Sequence, residues 1–166
     1  MPRTRRTSTT VVGLAMATLL LGACGGDDGA PEPSPTRPAP AVALAPDAYA
    51  AELVALTNEV RAEEGLPELA GSDCAREAGL ERAAALVGEE ELTHAPLAPV
   101  IAACEPLTTA AENLVNSTAS PTEVVEAWLG SPGHRSNIVD PALTEIGIGC
   151  VPDGEKLLCS QVFLGP

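Results

Sequence analysis

Aromatic side chains are scarce in this sequence. Its 166 residues include one Trp, one Tyr and one Phe, which together make up 2% of the chain. Proteins that hold nucleic-acid bases by stacking need several aromatic rings on one surface. The composition therefore argues against a stacking platform. It also predicts a core built from aliphatic side chains, since 45% of the residues are hydrophobic.

Basic residues are also few. The chain has 9 Lys and Arg against 23 Asp and Glu, so its formal net charge is −14. Nucleic-acid binding depends on a basic surface that releases counterions from the phosphates, and anionic membrane surfaces attract basic segments. We therefore expect no nucleic-acid partner and no electrostatic attraction to a membrane surface.

The N-terminus has the two parts of an export signal. Met1–Thr10 carries three arginines and no acid, and Val11–Leu21 is an unbroken apolar run. That run is shorter than the roughly 20 residues that a membrane-spanning helix needs. It closes with Leu-Gly-Ala-Cys, which resembles the lipobox of bacterial lipoproteins, where cleavage precedes a lipidated cysteine. We predict that residues 1–23 are a lipoprotein signal peptide and that Cys24 carries the lipid.

These features divide the chain into three parts. After the signal peptide, residues 24–46 comprise Cys24 and a linker rich in Pro and Ala, a composition typical of a disordered spacer. Residues 47–166 are long enough for one hydrophobic core. We expect an exported lipoprotein at the outer face of the cell membrane, with the lipid making the membrane contact. The export route, general secretory or twin-arginine, stays open.

The four remaining cysteines predict two disulfides, as expected for an exported chain. They are Cys74, Cys104, Cys150 and Cys159. Three pairings are possible, and a hairpin signal favours one of them. Two apolar runs, Thr144–Val151 and Lys156–Leu164, flank a turn that contains Asp-Gly. A connection over residues 153–156 places Cys150 opposite Cys159, within disulfide reach, which leaves Cys74 for Cys104.

Capping and breaker signals predict several helices before the hairpin, and this pattern predicts an α+β fold. The expected helices are residues 47–64 with Asp47 as cap, residues 72–87 opened by Ser72 and Asp73, a short helix after the Ser120 capping box, and a turn that starts at Ser131-Pro132. Thr108–Val115 could start a further short helix. Arg61 and Arg82 fall among polar residues and are expected on solvated faces, whereas His94 lies on a loop next to Pro96.

Three motifs resemble the CAP superfamily, also called SCP-like domains, which includes cysteine-rich secretory proteins, antigen five and pathogenesis-related proteins. Asn58–Leu69 is similar to the family's N-x-x-R-x-x-x-G-L-x-x-L opening, and Ala111–Leu114 is similar to its G-E-N motif. Trp128–Gly149 resembles the W-x-x-S-P-G-H-R to T-E-I-G-I-G motif. The resemblance extends over residues 47–166 and identifies a CAP domain of the bacterial S-P-G-H-R type.

The resemblance implies an α-β-α sandwich around a small antiparallel sheet, with an open cleft. In many members two His and two acidic residues line that cleft, and the His can bind a metal. Here His94 and His134 match the two histidines, and Glu112 matches the acid of the G-E-N motif. Ser131 stands where many members have the second acid, and Glu145 is a further candidate partner for His134. The implied cofactor is Zn²⁺ or another divalent cation, with His94 and His134 as its ligands.

Two functions fit these residues. The preferred one is a membrane-tethered binding module whose ligand is a lipid or other small hydrophobic molecule, a peptide, a cell-wall component or another protein. The alternative is a metal-dependent hydrolase or peptidase that uses the His/Glu cleft. Nucleophilic catalysis requires a base oriented by a third group and an oxyanion hole. No spacing in the sequence specifies these, so no catalytic residue is assigned, and Ser131 is interpreted as a helix cap.

Overall fold

The structure is a computed structural model that describes residues 44–166. The predicted signal peptide, Cys24 and the linker up to residue 43 lie outside the described residues. The elements follow in the order α1 Pro46–Glu63, β1 Ala70–Gly71, α2 Asp73–Ala85, α3 Ala98–Ala103, β2 Thr109–Ser117, α4 Pro121–Leu129, α5 Pro132–Ile138, β3 Glu145–Asp153 and β4 Lys156–Gly165. Within this part of the chain, the helices are too short or too polar to cross a membrane.

The four strands form one sheet in the order β1-β3-β4-β2. Strand β4 lies between β3 and β2 and pairs antiparallel with both, while β1 adds two residues parallel to β3. The predicted antiparallel sheet is therefore confirmed for three strands, and the parallel pairing of β1 is an addition. Strand β2 forms one edge of the sheet, and Glu112 lies on this strand.

Helices cover both faces of the sheet. Side chains alternate between the two faces of a strand. In β4, Phe163 packs into a cluster with α1, α4 and α5, whereas Val162 and Leu164 pack into a cluster with α2 and α3. Trp128 of α4 is 3% exposed and donates its indole N–H to the carbonyl of Leu114 in β2. The predicted α+β class and the α-β-α sandwich are confirmed.

The hairpin of β3 and β4 has the predicted register, with Cys150 opposite Cys159. These two residues form a disulfide, and their Cα atoms are 4.1 Å apart. A second disulfide joins Cys74 in the first turn of α2 to Cys104 at the end of α3. Both predicted pairings are confirmed. The second disulfide closes the loop that carries His94.

Side-chain caps mark the starts of two of the five helices in residues 44–166. Ser72 caps α2 by accepting a hydrogen bond from a backbone N–H of the first turn, and Ser120 forms the predicted capping box of α4 with Glu123. The start of α1 differs from the prediction. Ala45 occupies the cap position, and Asp47 lies inside the first turn without capping it, so the predicted Asp47 cap is wrong.

The segment Thr108–Val115 does not start a helix. Residues 109–115 belong to β2, which pairs with β4 along its whole length. A Thr cap is a weak local preference, and tertiary context overrides such preferences when a ladder of nine residues is available. The helix prediction is therefore wrong, and the correction places Glu112 in a strand whose neighbour, β4, is buried.

Arg61 of α1 is buried, with an exposed fraction of 1%, so the prediction of a solvated Arg61 is wrong. Its guanidinium donates hydrogen bonds of 2.9 to 3.2 Å to four backbone carbonyls, those of Pro67, Ile138, Asp140 and Leu143. Burying a charge is costly unless its hydrogen bonds are satisfied. Here Arg61 satisfies carbonyls of two connections at once, and it joins α1 to the segment between α5 and β3.

Helix α2 packs directly on the backbone of β3. A Cβ atom at Gly147 would overlap the backbone of Arg76, and one at Gly149 would overlap the backbone of Leu80. A Cβ atom at Gly79 of the helix would lie 2.8 Å from the backbone nitrogen of Gly149. Glycine is the residue that permits such a close approach of two backbones. The glycines of β3 therefore determine how close α2 lies to the sheet and how far across the sheet its side chains extend.

Replacing Gly149 by Ala should lower the free energy of unfolding by about 1–3 kcal/mol or more, because the added methyl group pushes α2 away from β3. Gly71→Ala is the matched control, since nothing lies within 4 Å of its Cβ position, and its effect should stay within about 0.5 kcal/mol. Urea unfolding followed by circular dichroism measures both. Equal midpoints for the two variants would contradict the close packing of α2 on β3.

Candidate functional site

Glu112 of β2 lies at the centre of a buried hydrogen-bond network. Its side chain is 2% exposed, and the residue pairs with Val162 of β4. Oε1 accepts hydrogen bonds from Arg82 Nε at 2.5 Å and from Ser160 Oγ at 2.7 Å. Oε2 accepts one from Arg82 Nη2 at 2.8 Å and lies 2.7 Å from His94 Nδ1. Each carboxylate oxygen therefore has two close polar neighbours.

Opposing effects act on the pKa of Glu112. Burial raises this pKa, but the hydrogen bonds from Arg82, Ser160 and His94, together with the charge of Arg82, lower it by more. The net pKa is below the ordinary value of a glutamate, so the carboxylate is ionised at neutral pH. A buried charge of this kind persists only when it is paired and hydrogen-bonded.

The prediction that Arg82 lies on a solvated face is wrong. Its side chain is 11% exposed and reaches the sheet from the last turn of α2. Nη2 also donates to the carbonyl of Ala95 at 2.8 Å, and Nη1 donates to that of Pro96 at 3.3 Å. The hydrogen bond with Glu112 raises the pKa of Arg82. No local sequence pattern marks this residue, because its partner Glu112 is 30 residues away in the chain.

His94 lies on the loop between α2 and α3, as predicted. Its side chain is 53% exposed, and its Nδ1 is held by Glu112. The carbonyls of the next two residues, Ala95 and Pro96, are held by Arg82. Both the ring and the backbone of this part of the loop are therefore anchored, while the rest of the imidazole remains open to solvent.

His134 lies on α5 and is half-buried. Asn113 Nδ2 donates to the carbonyl of His134 at 3.3 Å, and Asn137 Nδ2 donates to the carbonyl of Glu112 at 3.1 Å, so α5 is tied to the edge of β2. Burial and the nearby His94 both lower the pKa of His134. The imidazole of His134 is therefore neutral at pH 7.

The other sequence candidates lie outside this network. Glu145 is the first residue of β3, opposite Leu164. In residues 44–166 neither histidine ring has a hydrogen bond or ion pair with Glu145, and His94 pairs with Glu112 alone. Ser131 occupies the N-cap position of α5, but its side chain makes no capping hydrogen bond. The structure thus brings together His94, Glu112 and the neighbouring His134.

Too few ligand side chains converge at this place to bind a metal ion. Across residues 44–166, no group of three or more His, Cys, Asp or Glu side chains is arranged to hold one. The oxygens of Glu112 are already occupied by Arg82, Ser160 and His94, which leaves the imidazoles of His94 and His134 as donors. Zinc sites have three or four protein ligands, so the residues present do not fit a zinc centre by themselves.

Known proteins share this sequence pattern. The model of the cysteine-rich secretory protein family, CAP, matches residues 54–163, which include His94, Glu112 and His134. Among curated proteins, YkwD of Bacillus subtilis (strain 168) is 31% identical over 124 residues. That match covers 71% of this chain and 48% of YkwD, so the chain spans about half the length of the curated relative.

Solved structures share the fold. An extracellular protein from Bacillus anthracis str. Ames that contains an SCP domain has a TM-score of 0.63 at 23% identity, over 74% of this chain and 44% of that chain. An outer surface protein from Borrelia burgdorferi has a TM-score of 0.61 at 22% identity, over 68% and 88% of the two chains. At these identities the likeness shows a common fold, and it carries no activity over.

Replacing Glu112 by Ala should lower the free energy of unfolding by about 3–5 kcal/mol, because the guanidinium of Arg82 then stays buried without its counter-charge. Glu81→Ala, at the adjacent exposed position of α2, is the matched control and should change stability by less than about 0.5 kcal/mol. Chemical unfolding measures both variants. The double change Arg82→Met with Glu112→Leu should cost less than the sum of its single changes, and strict additivity would contradict the ion pair.

Proposed function

The chain belongs to the cysteine-rich secretory protein (CAP) family, and from this premise we propose that it is an exported lipoprotein whose CAP domain binds a ligand outside the cell membrane. A lipid on Cys24 would hold the protein at the outer face of that membrane. The domain would act as a binding module, and the ligand we propose is a lipid or another small hydrophobic molecule.

A groove beside α1 is the observation that carries this proposal. It has a volume of about 750 Å³ and lies between the start of α1, the connection from β2 to α4 and the turn of the hairpin. Its apolar walls include Leu44, Tyr49, Pro121, Pro152 and Leu157, with Glu and Ser side chains among the other lining residues. Ligand pockets commonly have volumes of roughly 300–1,000 Å³ and mostly apolar walls. Both properties support a small hydrophobic ligand.

The proposed location rests on the N-terminal sequence and on the similar proteins. A basic start, an apolar run and a cysteine at its end are the features of a lipoprotein signal. The proteins with a similar fold include an extracellular protein and an outer surface protein, which supports export of this chain. Because a single acyl chain binds a membrane only marginally, stable tethering would require more than one chain on Cys24.

The occupied state of Glu112 favours a binding module over the hydrolase alternative. A general base needs a free acceptor position within reach of the proton that it removes. Both oxygens of Glu112 already have two neighbours, and the side chain is 2% exposed. Beside Glu112, the exposed side chain of His94 stays available for contact with a ligand. This arrangement supports a rigid binding surface rather than acid–base machinery.

Changing Cys24 to Ala should release the protein from the membrane fraction into the medium, because the attachment atom for the lipid is lost. Ser34→Ala in the linker is the matched control and should remain in the membrane fraction. Fractionation of producing cells followed by immunoblotting measures the distribution. A Cys24→Ala protein that still sediments with membranes would refute the lipid tether.

The ligand class is tested on the released Cys24→Ala protein with an uncharged fluorescent acylglycerol as the probe. Leu44→Glu should weaken saturable binding about tenfold or more, because it places a charge in the apolar wall of the groove. Leu44 is 41% exposed, and Val87→Glu is the matched control, since Val87 is 46% exposed and does not line the groove. Equal binding by both variants, or no saturable binding, would contradict a hydrophobic ligand in this groove.

The same preparations separate the binding module from the enzyme. We expect no hydrolysis of a mixed peptide library above the rate of a buffer blank, measured by mass spectrometry. Hydrolysis by the parent protein that disappears in His94→Ala and in His134→Ala would establish the hydrolase alternative instead. Stoichiometric zinc that is lost in the same two variants would show that the two imidazoles recruit a metal with further ligands.

A further inference from the structure

We infer that Arg82 is the positioning residue of His94: it holds the imidazole in the Nδ1–H form, so that the lone pair of Nε2 is offered to a ligand. The orientation of the ring follows from contacts within the domain. Only the ligand-binding role of the ring rests on the proposed function. The sequence places Arg82 among the polar residues of α2, and no motif marks it as part of the site.

The proton between His94 and Glu112 belongs to the imidazole. An ionised carboxylate only accepts hydrogen bonds. Glu112 is held in this ionised form by Arg82 at 2.5 and 2.8 Å and by Ser160 at 2.7 Å. At a distance of 2.7 Å from Oε2, His94 Nδ1 must therefore be the donor. In a neutral imidazole one nitrogen donates and the other accepts, so Nε2 carries the lone pair.

Arg82 controls both ends of this arrangement. Through Nε and Nη2 it holds the carboxylate of Glu112 in a two-point contact. Through Nη2 and Nη1 it also binds the carbonyls of Ala95 and Pro96, which directly follow His94 in the loop. The planar fork of an arginine can serve these acceptors together, whereas the single ammonium group of a lysine cannot. One side chain therefore sets the position of the partner of His94 and of the backbone next to it.

This arrangement defines what the histidine can offer a ligand. Nδ1 is occupied by the buried carboxylate, and the side chain of His94 is otherwise 53% exposed. In the Nδ1–H form the other ring nitrogen, Nε2, carries a lone pair that accepts a hydrogen bond. The lone pair of Nε2 in this tautomer suits a hydrogen-bond donor on a ligand.

The test is nuclear magnetic resonance of the imidazole nitrogens in ¹⁵N-labelled protein, recorded in a pH range over which the His94 signals no longer change. Wild-type His94 should show the proton on Nδ1. Arg82→Met should convert this signal to a mixture of the two tautomers, whereas Arg76→Met should leave it unchanged. Arg76 is the matched control, because it lies on the same helix and makes only an exposed pair with Asp73. No ligand is needed, so failure of the proposed function would not affect the result.

A second variant keeps the test decisive if Arg82→Met does not fold. Arg82→Lys retains the charge beside Glu112, so His94 should retain its Nδ1–H form. Amide hydrogen exchange in residues 93–97 should nevertheless become faster, because the carbonyls of Ala95 and Pro96 lose their shared donor. Unchanged exchange in Arg82→Lys would overturn the positioning role. So would a wild-type tautomer in folded Arg82→Met, or the same tautomer change in Arg76→Met.

Discussion

The site depends on the burial of one carboxylate. An ionised glutamate inside a protein is costly unless its oxygens are paired and hydrogen-bonded. Around Glu112 that requirement is met by Arg82 of α2, Ser160 of β4 and His94 of the loop after α2. Each of these segments is thereby fixed relative to β2. The exposed imidazole of His94 is consequently presented from a rigid base, although the loop that carries it has no regular secondary structure.

The close packing of α2 makes this compensation possible. Gly147 and Gly149 of β3 let the backbone of the helix approach the backbone of the strand. At that depth the guanidinium of Arg82 can reach a carboxylate on the far strand of the sheet and the loop carbonyls together. The Cys74–Cys104 disulfide then holds α3 against the first turn of the same helix. The T-E-I-G-I-G motif therefore has a packing role that supports the site from a more distant strand on the same face of the sheet.

Two of the few basic side chains of the domain are buried and bind groups within it. Arg61 satisfies backbone carbonyls between α1 and the approach to β3, and Arg82 neutralises Glu112. The outer surface is left with an excess of acids, in a chain whose net charge is −14. Such a surface repels anionic partners. The features that suit a ligand are instead an apolar groove beside α1 and a pair of imidazoles at the edge of β2.

The sequence by itself determined the features whose interactions span only a few residues. The Ser120 capping box and the register of Cys150 with Cys159 are local, since a cap or a tight turn needs no distant partner. The family motifs also sufficed to indicate the sandwich and to single out His94, Glu112 and His134. Those motifs name positions but do not show which contacts the side chains make.

Only the tertiary structure decided that residues 109–115 form part of a strand and that Arg61 and Arg82 are buried. Arg82 is 30 residues from Glu112 in sequence, and Arg61 is 82 residues from Leu143. A charged residue on a helix carries the same local pattern whether it faces water or a distant acceptor. The cost of burying its charge is offset by hydrogen bonds and ion pairs to partners that come together only in the folded chain.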